Sequence, residues 1–489
     1  MGEEEIISLR TAKLERLRSR GIDPYPARFR PSHTARQAVE LLKGRDHHPD
    51  PVTIAGRIIA MRHMGKATFI DLRDGSDRVQ TYLKEDILGP QTYEILRDLD
   101  LGDFLGVRGP LFRTKTGEPT VQVEQLTVLA KALRALPEKW HGLQDVEVRY
   151  RQRYLDLIAN PQARETFLAR SRIISAIRRF LDGRGFLEVE TPVLQPAAGG
   201  AAARPFVTYH NALDRQLCLR IALELHLKRL VIGGYDRVYE IGRIFRNEGV
   251  SARHSPEYTM LESYQAYADY NDVMDMVEEM TSTVAREALG DTTVDHADTK
   301  IDFAPPWPRL TLRDAIKRYS DIDFEDYPDV ESMQRATASC GIAVDETWGR
   351  GKLIDELLSA KVEPNLIQPT FILDYPVELS PLAKRKPDNP RLVERFELFI
   401  AGREVANAYS ELNDPLEQRQ RMLQQARLRA AGDEEVELAD EEFLVALEHG
   451  MPPCGGLGIG IDRLVMALTG QPSIREVILF PHLRDRERP

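Results

Sequence analysis

Three stretches of the chain place reactive residue types at spacings that could do chemistry. The first is RVYEIGRIFRNEGVSARHSPEYTMLESY, residues 237–264. Two β-rich runs flank the polar loop GVSARHSP, which predicts a long hairpin. Alternation puts Glu240, Arg246 and Glu248 on one face of the first strand, and Tyr258, Glu262 and Tyr264 on one face of the second. Acids, an arginine and aromatics together seldom pack a core, because buried charges must be paired. Such a face suits a charged ligand, or a solvated surface laced with ion pairs. The second stretch is RFELFIAGREVANAYSEL, residues 395–412. Asn407, Tyr409 and Glu411 share one strand face, while Ala406, Ala408 and Ser410 leave the other small enough for something to pack closely behind. Glu397 and Glu404 flank the turn Ala401-Gly402. Strict alternation sets Glu404 opposite Asn407, so a shared pocket requires a bulge near Val405. Two nearby carboxylates suit Mg²⁺, which often bridges protein to phosphates; two exposed acids at a strand end would read the same way.

The third stretch is PPCGGLGIGIDR, residues 452–463. Gly456, Gly458 and Gly460 recur with period two and strip one strand face of side chains, a mark of close approach by a ligand or backbone. A bare flat face suits a planar ring. Asp462 is placed to cap the next helix, and Arg463 to meet phosphate. The pattern matches neither GxxxxGK[ST] nor GxGxxG.

The elements that must position these residues follow from patterning. Ile6, Leu9, Leu14 and Leu17 predict an N-terminal surface helix. Pro24, Pro26 and Pro31 interrupt it, a short helix follows over 35–42, and GRDHHPDP reads as a linker. Between 52 and 129 short strands recur with turns between them, predicting a small five-stranded closed barrel of the OB type. Phe69, Arg78 and Gln80 lie on its second and third strands, where OB-folds stack and hold single-stranded nucleic acid. Residues 130–160 read as a charged connector. A large α+β region follows, with a helix over 167–181, a strand at GFLEVETPVL, and a weakly patterned insertion over 290–370. The chain has 489 residues, 42% hydrophobic and 29% charged, which excludes intrinsic disorder and a disulfide scaffold. No apolar run reaches about 18–20 residues, so no transmembrane helix is expected. The net charge of −11 argues against indiscriminate nucleic-acid coating, not against a local reading surface. Cys218, Cys340 and Cys454 are scattered without zinc spacing, as suits a reducing cytoplasm, and the acidic N-terminus does not resemble a signal peptide.

Taken together these runs resemble class II aminoacyl-tRNA synthetases over nearly the whole chain. GFLEVETPVLQP resembles motif 1, the dimer-interface element; FRNE…RHSPEYTMLE resembles motif 2; GLGIGIDR resembles motif 3. An OB domain ahead of the catalytic domain is similar to the aspartate/asparagine/lysine subgroup. KWHGLQDVEVRYRQRYLDL, ARPFVTYHNALD, LRIALELHLKRL and YSELNDP resemble its lysine branch. The resemblance implies a helical extension over 1–50, an anticodon-binding OB domain over 51–133, a linker over 134–161 and a catalytic domain over 162–489. It also implies a cytoplasmic homodimer with ATP, L-lysine and tRNA(Lys) as partners, Mg²⁺ as cofactor and no membrane.

Family roles carried onto matching positions give Arg246 the α-phosphate and the lysine carboxylate. Glu248 and His254 hold ATP, Tyr258 stacks on adenine where Phe is usual, and Arg463 covers its other face and the γ-phosphate. Glu397 and Glu404 bind Mg²⁺. Glu224 and Glu262 hold the lysine α-amino group near Gly200, Glu411 and Tyr264 take the ε-ammonium, and Asn407 and Tyr409 line the pocket. Phe69 stacks on the central anticodon uridine, Gln80 reads its edge and Arg78 supports the loop. Ala406 and Ala408 stand where the family often has Gly, which implies a slightly tighter pocket. The related protein-lysylating enzymes lack the barrel and carry Ala where this chain has Gly458. Aspartate and asparagine pockets need a cation or an amide donor where this chain offers Glu411. The implied reaction needs no protein nucleophile: the lysine carboxylate attacks the α-phosphate, and tRNA then attacks the adenylate.

Overall fold

The structure, a computed structural model, describes residues 2–137, 143–197, 199–201, 203–430 (backbone alone over 426–430) and 440–484. It divides into two units, Met1–Gln144 and Asp145–Pro489.

The first unit is built on six strands: β1 (His47–Met64), β2 (Ala67–Arg73), β3 (Arg78–Lys84), β4 (Phe104–Arg113), β5 (Pro119–Gln122) and β6 (Gln125–Ala130). They pair in the order β1-β2-β3-β5-β4, and β4 pairs back to β1, so the ring closes with β6 beside β4. Alternation sends Val79, Thr81 and Leu83 inward with Ile54, Ile70, Leu105 and Val121, and leaves Gln80 and Tyr82 outside. Two expectations are corrected. The run PTVQVEQLTVL is two strands, because the chain turns between them to pair with different parts of β4. The supposed linker GRDHHPDP enters β1: His47 and His48 pair with Phe112 and Leu111, and the register shifts before Val52. Its prolines sit within that irregular stretch, where a missing N–H costs no ladder bond. The helices Glu3–Ser19 and Ala35–Glu40 precede the barrel, the second opened by a Thr34/Gln37 capping box.

The second unit adds β7 (Leu187–Glu188), β8 (Leu194–Gln195), β9 (Val207–His210), β10 (Arg215–Leu219), β11 (Arg237–Phe245), β12 (Glu257–Ala266), β13 (Thr293–His296), β14 (Thr299–Asp302), β15 (Arg309–Thr311), β16 (Thr370–Pro376), β17 (Leu392–Ile400), β18 (Arg403–Ser410) and β19 (Cys454–Gly460). Eight of them form one sheet in the order β15-β16-β17-β18-β19-β12-β11-β7. It is antiparallel except at its edges, where β15 and β7 run parallel to their neighbours. Helices Pro161–Gly183 and Tyr270–Leu289 cover one face, burying Ile173, Ile177, Met274 and Val277 against Tyr239, Leu261, Phe396, Leu398 and Leu457. The opposite face is left for the site.

The strand expected at GFLEVETPVL is only the two short pieces β7 and β8. Between them Pro192 has no N–H to give, and the Thr191 N–H donates to the Glu240 carboxylate at 3.0 Å instead of to a strand. Within the stretch read as a connector, Val146–Arg151 and Arg153–Ala159 are helical; residues 138–142 lie outside the described residues. Arg153 is fully buried, bonded to Asp156 and to the carbonyls of Leu479 and Arg475. The segment 290–370 holds the β13–β14 hairpin and helices whose Leu312, Phe324, Met333 and Leu353 share a core with Ile372, Val393 and Phe399 of β16 and β17.

Candidate active site

Register places the site. Four adjacent strands, β12, β19, β18 and β17, bring Tyr264, Gly456, Tyr409 and Arg395 into one row. The next row on the same face is Glu262, Gly458, Asn407 and Glu397. The intervening residues point to the covered face, and Ala406 and Ala408 are among them, buried in that core. They do not line the pocket and so do not tighten it. Their small size admits the helix Tyr270–Leu289, whose Tyr270 N–H reaches Ser410 Oγ at 3.0 Å. The bulge needed near Val405 is present. Leu398 pairs with Ala406 but Phe399 pairs with Glu404, so Val405 is the extra residue and Glu404 joins the face of Asn407.

One end of the cleft is a closed cluster of acids. Gly200 has φ +84° and lies so close to Glu224 and Ala222 that a Cβ there would stand 3.1 and 3.2 Å from theirs. Glu224 opens the helix Glu224–Ile232 and accepts from the Tyr409 hydroxyl at 2.8 Å. Glu262 accepts from the Leu223 N–H at 2.9 Å and the Tyr264 hydroxyl at 3.1 Å. Burial, with Glu224 beside it, pushes Glu262 up to about 7. Glu411 is 1% exposed, and burial holds it well above the usual carboxylate range against the pull of Lys228. A Cβ at Gly456 would overlap Glu411 Oε1, so this glycine is bare for a carboxylate rather than for a planar ring. Gly458 and Gly460 are uncrowded, with nearest neighbours at 3.7 and 3.8 Å, and these two leave the open floor.

The other end is lined by cations and acids that are less enclosed. Arg246 lies just past the end of β11, its guanidinium 5.6 Å from the Tyr258 ring and its Nε donating to the Ile221 carbonyl at 3.4 Å. Burial pushes the Tyr258 hydroxyl up to about 12. Glu240 shares the sheet face of its cross-strand partner Glu262 but is not free there, and Glu248 lies past the strand. Glu240 is buried against Arg220 at 2.6 Å and Thr191, and Glu248 is exposed beyond the strand. His254 contacts Ser251 Oγ at 3.1 Å, and burial, with Arg463 nearby, lowers its pKa. Arg463 donates to the Glu404 carbonyl at 2.8 Å and its carboxylate at 3.1 Å. Asp462 is not the cap of the helix Ile461–Thr469, whose N-cap is Gly460; it is buried, accepting from the Thr259 N–H at 2.7 Å and from Arg170 at 2.6 Å. Glu397 accepts from the Tyr375 hydroxyl at 2.7 Å and from Arg395 at 2.5 Å, and burial, with Glu404 adding to it, raises it to about 7. No cluster of three or more metal-binding side chains occurs among the described residues. Two carboxylates whose charges oppose each other still fit Mg²⁺, which takes one or two protein carboxylates and completes its shell with water and phosphate.

The barrel carries a second candidate surface. Phe69, Asp71, Arg78, Gln80 and Tyr82 lie on the outward sides of β2 and β3. The Phe69 and Tyr82 rings are 5.0 Å apart, and Tyr82 and Phe112 6.1 Å, forming an aromatic ladder. Gln80 accepts from Thr120 at 3.0 Å, and Arg78 pairs with Glu118 at 2.9 Å and Asp71 at 3.3 Å.

Sequence reading missed Lys228, Arg395, Tyr375, Tyr82 and Phe112. Lys228 had a signal: it stands four residues after Glu224 on a helix, the spacing at which an acid and a lysine side chain meet. Arg395 had one too, since it stands two residues before Glu397 on one strand and so shares its face; Tyr375 had none, because only the pairing of two strands brings it to Glu397.

Residues 145–484 match the family model described as tRNA synthetases class II (D, K and N), and residues 52–129 match the OB-fold nucleic acid binding domain. A lysine–tRNA ligase of Dehalococcoides mccartyi is 60% identical over 100% of this chain and 99% of its own. Lysine–tRNA ligases of Moorella thermoacetica and Thermoanaerobacter pseudethanolicus are 58% and 52% identical, each over 99% of this chain and over 99% and 96% of theirs.

Proposed function

Because the chain belongs to the class II tRNA synthetases of the aspartate, lysine and asparagine group, we propose that it is a lysine–tRNA ligase. It joins L-lysine to ATP as lysyl-adenylate, releasing pyrophosphate, and passes the lysyl group to the 3′ end of tRNA(Lys). The observation that carries this reading is Glu411. Its Oε1 has no hydrogen-bond partner among the described residues, is enclosed, and lies over bare Gly456 at the closed end of the cleft. A buried, unpartnered carboxylate oxygen is the acceptor an ε-ammonium requires, and an uncharged side chain would leave it unmatched.

In the Michaelis complex Glu224 and Glu262 hold the α-ammonium, Glu411 and Tyr264 the ε-ammonium, and Asn407 and Tyr409 line the channel between. Arg246 then meets both the substrate carboxylate and the α-phosphate, aligning the attacking oxygen with the phosphorus and leaving pyrophosphate to depart. Tyr258 stacks on the adenine, with Arg463 on its other face and reaching the γ-phosphate; Glu248 and His254 hold the rest of ATP. Glu397 and Glu404 would hold Mg²⁺, which when bound supplies positive charge to the phosphates. Arg246 and Arg463 stabilise the charge that builds on the α-phosphate and the leaving group. Phe69, Gln80 and Arg78 on the barrel read the anticodon.

The protein works as a homodimer in the cytoplasm. Leu194, Val207, Tyr209 and Leu213 are 46–57% exposed around the motif 1 segment, an apolar surface suited to a second copy. No helix among the described residues is long and apolar enough to cross a membrane. The test is amino-acid-dependent ATP–pyrophosphate exchange across all the proteinogenic amino acids without tRNA. Exchange with lysine alone is expected; exchange driven by another amino acid, or by none, overturns the reading.

A further inference from the structure

Lys228 has no part in the roles above. It is fully enclosed on the helix Glu224–Ile232, with its ammonium paired to Glu224 Oε1 and Glu411 Oε2. The Tyr409 and Phe443 rings flank it at 5.6 and 5.8 Å. The titratable groups around this triad are Glu262 and Tyr264 from β12, Tyr409 from β18 and Cys454 from β19. Neither Glu411 oxygen meets a hydrogen-bond partner in good geometry among the described residues, but Oε2 has the Lys228 ion pair while Oε1 has neither kind of partner. With their acids ionised, Glu224, Glu262 and Glu411 bring three negative charges into the pocket, and Lys228 cancels one. The two that remain equal the two ammonium groups of lysine, whose carboxylate goes to Arg246.

We propose that Lys228 is a positioning residue for lysine specificity: it pins Glu411 by Oε2, leaves Oε1 for the substrate ε-ammonium, and sets the buried charge to match a diammonium ligand. This rests on the reading of Glu411 above. Without Lys228 three carboxylates face two ammoniums in a buried space, where solvent screens them little. The excess is relieved by protonating the most enclosed acid, Glu411, which the free enzyme already disfavours as an anion. A protonated Glu411 no longer holds a cation.

The test is Lys228→Met, followed by lysine-dependent ATP–pyrophosphate exchange from about pH 6 to about pH 9, below the lysine side-chain pKa of roughly 10.4. The lysine KM is expected to rise about 10- to 1000-fold at neutral pH and to fall again as pH rises. Its pH profile is displaced upward by about 1–3 units, the reach of one nearby opposite charge, while the ATP KM stays near wild type. The double variant E224Q/K228M removes an anion with the cation and guards against misfolding of the single variant; its midpoint is expected to return toward wild type. An undisplaced profile in K228M, a lowered lysine KM, or a double variant as displaced as the single one overturns the proposal. Glu411→Gln separates the two readings: an unchanged lysine KM there removes the Glu411 assignment itself, whereas a steep rise there with an undisplaced K228M profile removes only the role of Lys228.

Discussion

The acid pocket and the outer face of the barrel are both read off alternating strands, yet they handle charge in opposite ways. In the pocket Glu224, Glu262 and Glu411 are all under a tenth exposed, and every charge has a specific partner or is raised toward neutrality. On the barrel Arg78 keeps 43% of its side chain in solvent and is shared between Asp71 and Glu118. An unpartnered charge is costly in the first setting and cheap in the second, because water screens only the second. The pocket can therefore discriminate through single groups. The barrel must spread recognition over stacked rings and several weak contacts.

That contrast ranks the expected effects. Glu411→Gln is the largest: losing one side of a buried charge pair costs about 2–5 kcal/mol, so the lysine KM in pyrophosphate exchange should rise by roughly 30-fold or more with the ATP KM unchanged. Gly456→Ala comes next. The added methyl displaces Glu411 Oε1, so the lysine KM should rise about 10- to 100-fold, while circular dichroism shows the fold retained. A change confined to the melting temperature would make Gly456 structural only.

The pH dependence tests the pocket from another side. Glu262 is raised from 4.5 to about 7, so the folded protein favours its protonated form. A carboxyl with a raised pKa contributes stability that is full below its unfolded value and lost as pH rises through the folded one. Relative to Glu262→Gln, the ligand-free wild type should thus lose melting temperature between about pH 4.3 and about pH 7. Over the same window lysine affinity should rise, as Glu262 becomes the anion its ligand needs. Parallel melting curves for the two proteins would show that Glu262 does not titrate there.

The barrel gives the smallest effects. Phe69→Ala should raise the tRNA KM in aminoacylation by about 5- to 150-fold, the value of roughly 1–3 kcal/mol for one stacked base, with exchange unaffected. Arg78→Ala should change it less and should respond to salt. An equal loss in both assays would make the barrel surface structural, and the comparison with the pocket would fail.

Short-range patterning was enough for the parts whose physics is local. Period-two alternation placed Tyr258, Glu262 and Tyr264 on one face and Asn407 and Tyr409 on another, and it required the bulge at Val405. The same local rules put Phe69 and Gln80 outside a barrel core. Tertiary structure decided what no single segment encodes. The register of β12, β19, β18 and β17 joined two segments and a glycine strand into one floor. It assigned Gly456 to Glu411, and the pairing of β16 with β17 brought Tyr375 to Glu397. Glu240 and Asp462 looked free for a ligand or a cap, yet they bind Thr191 and Thr259 across the fold, because buried polar groups must be satisfied wherever a partner lies. Lys228 shows the boundary most clearly. Its spacing from Glu224 is written in the helix, but its partner Glu411 lies 183 positions further along the chain (411 − 228), and only folding makes it the cation of an acid pocket.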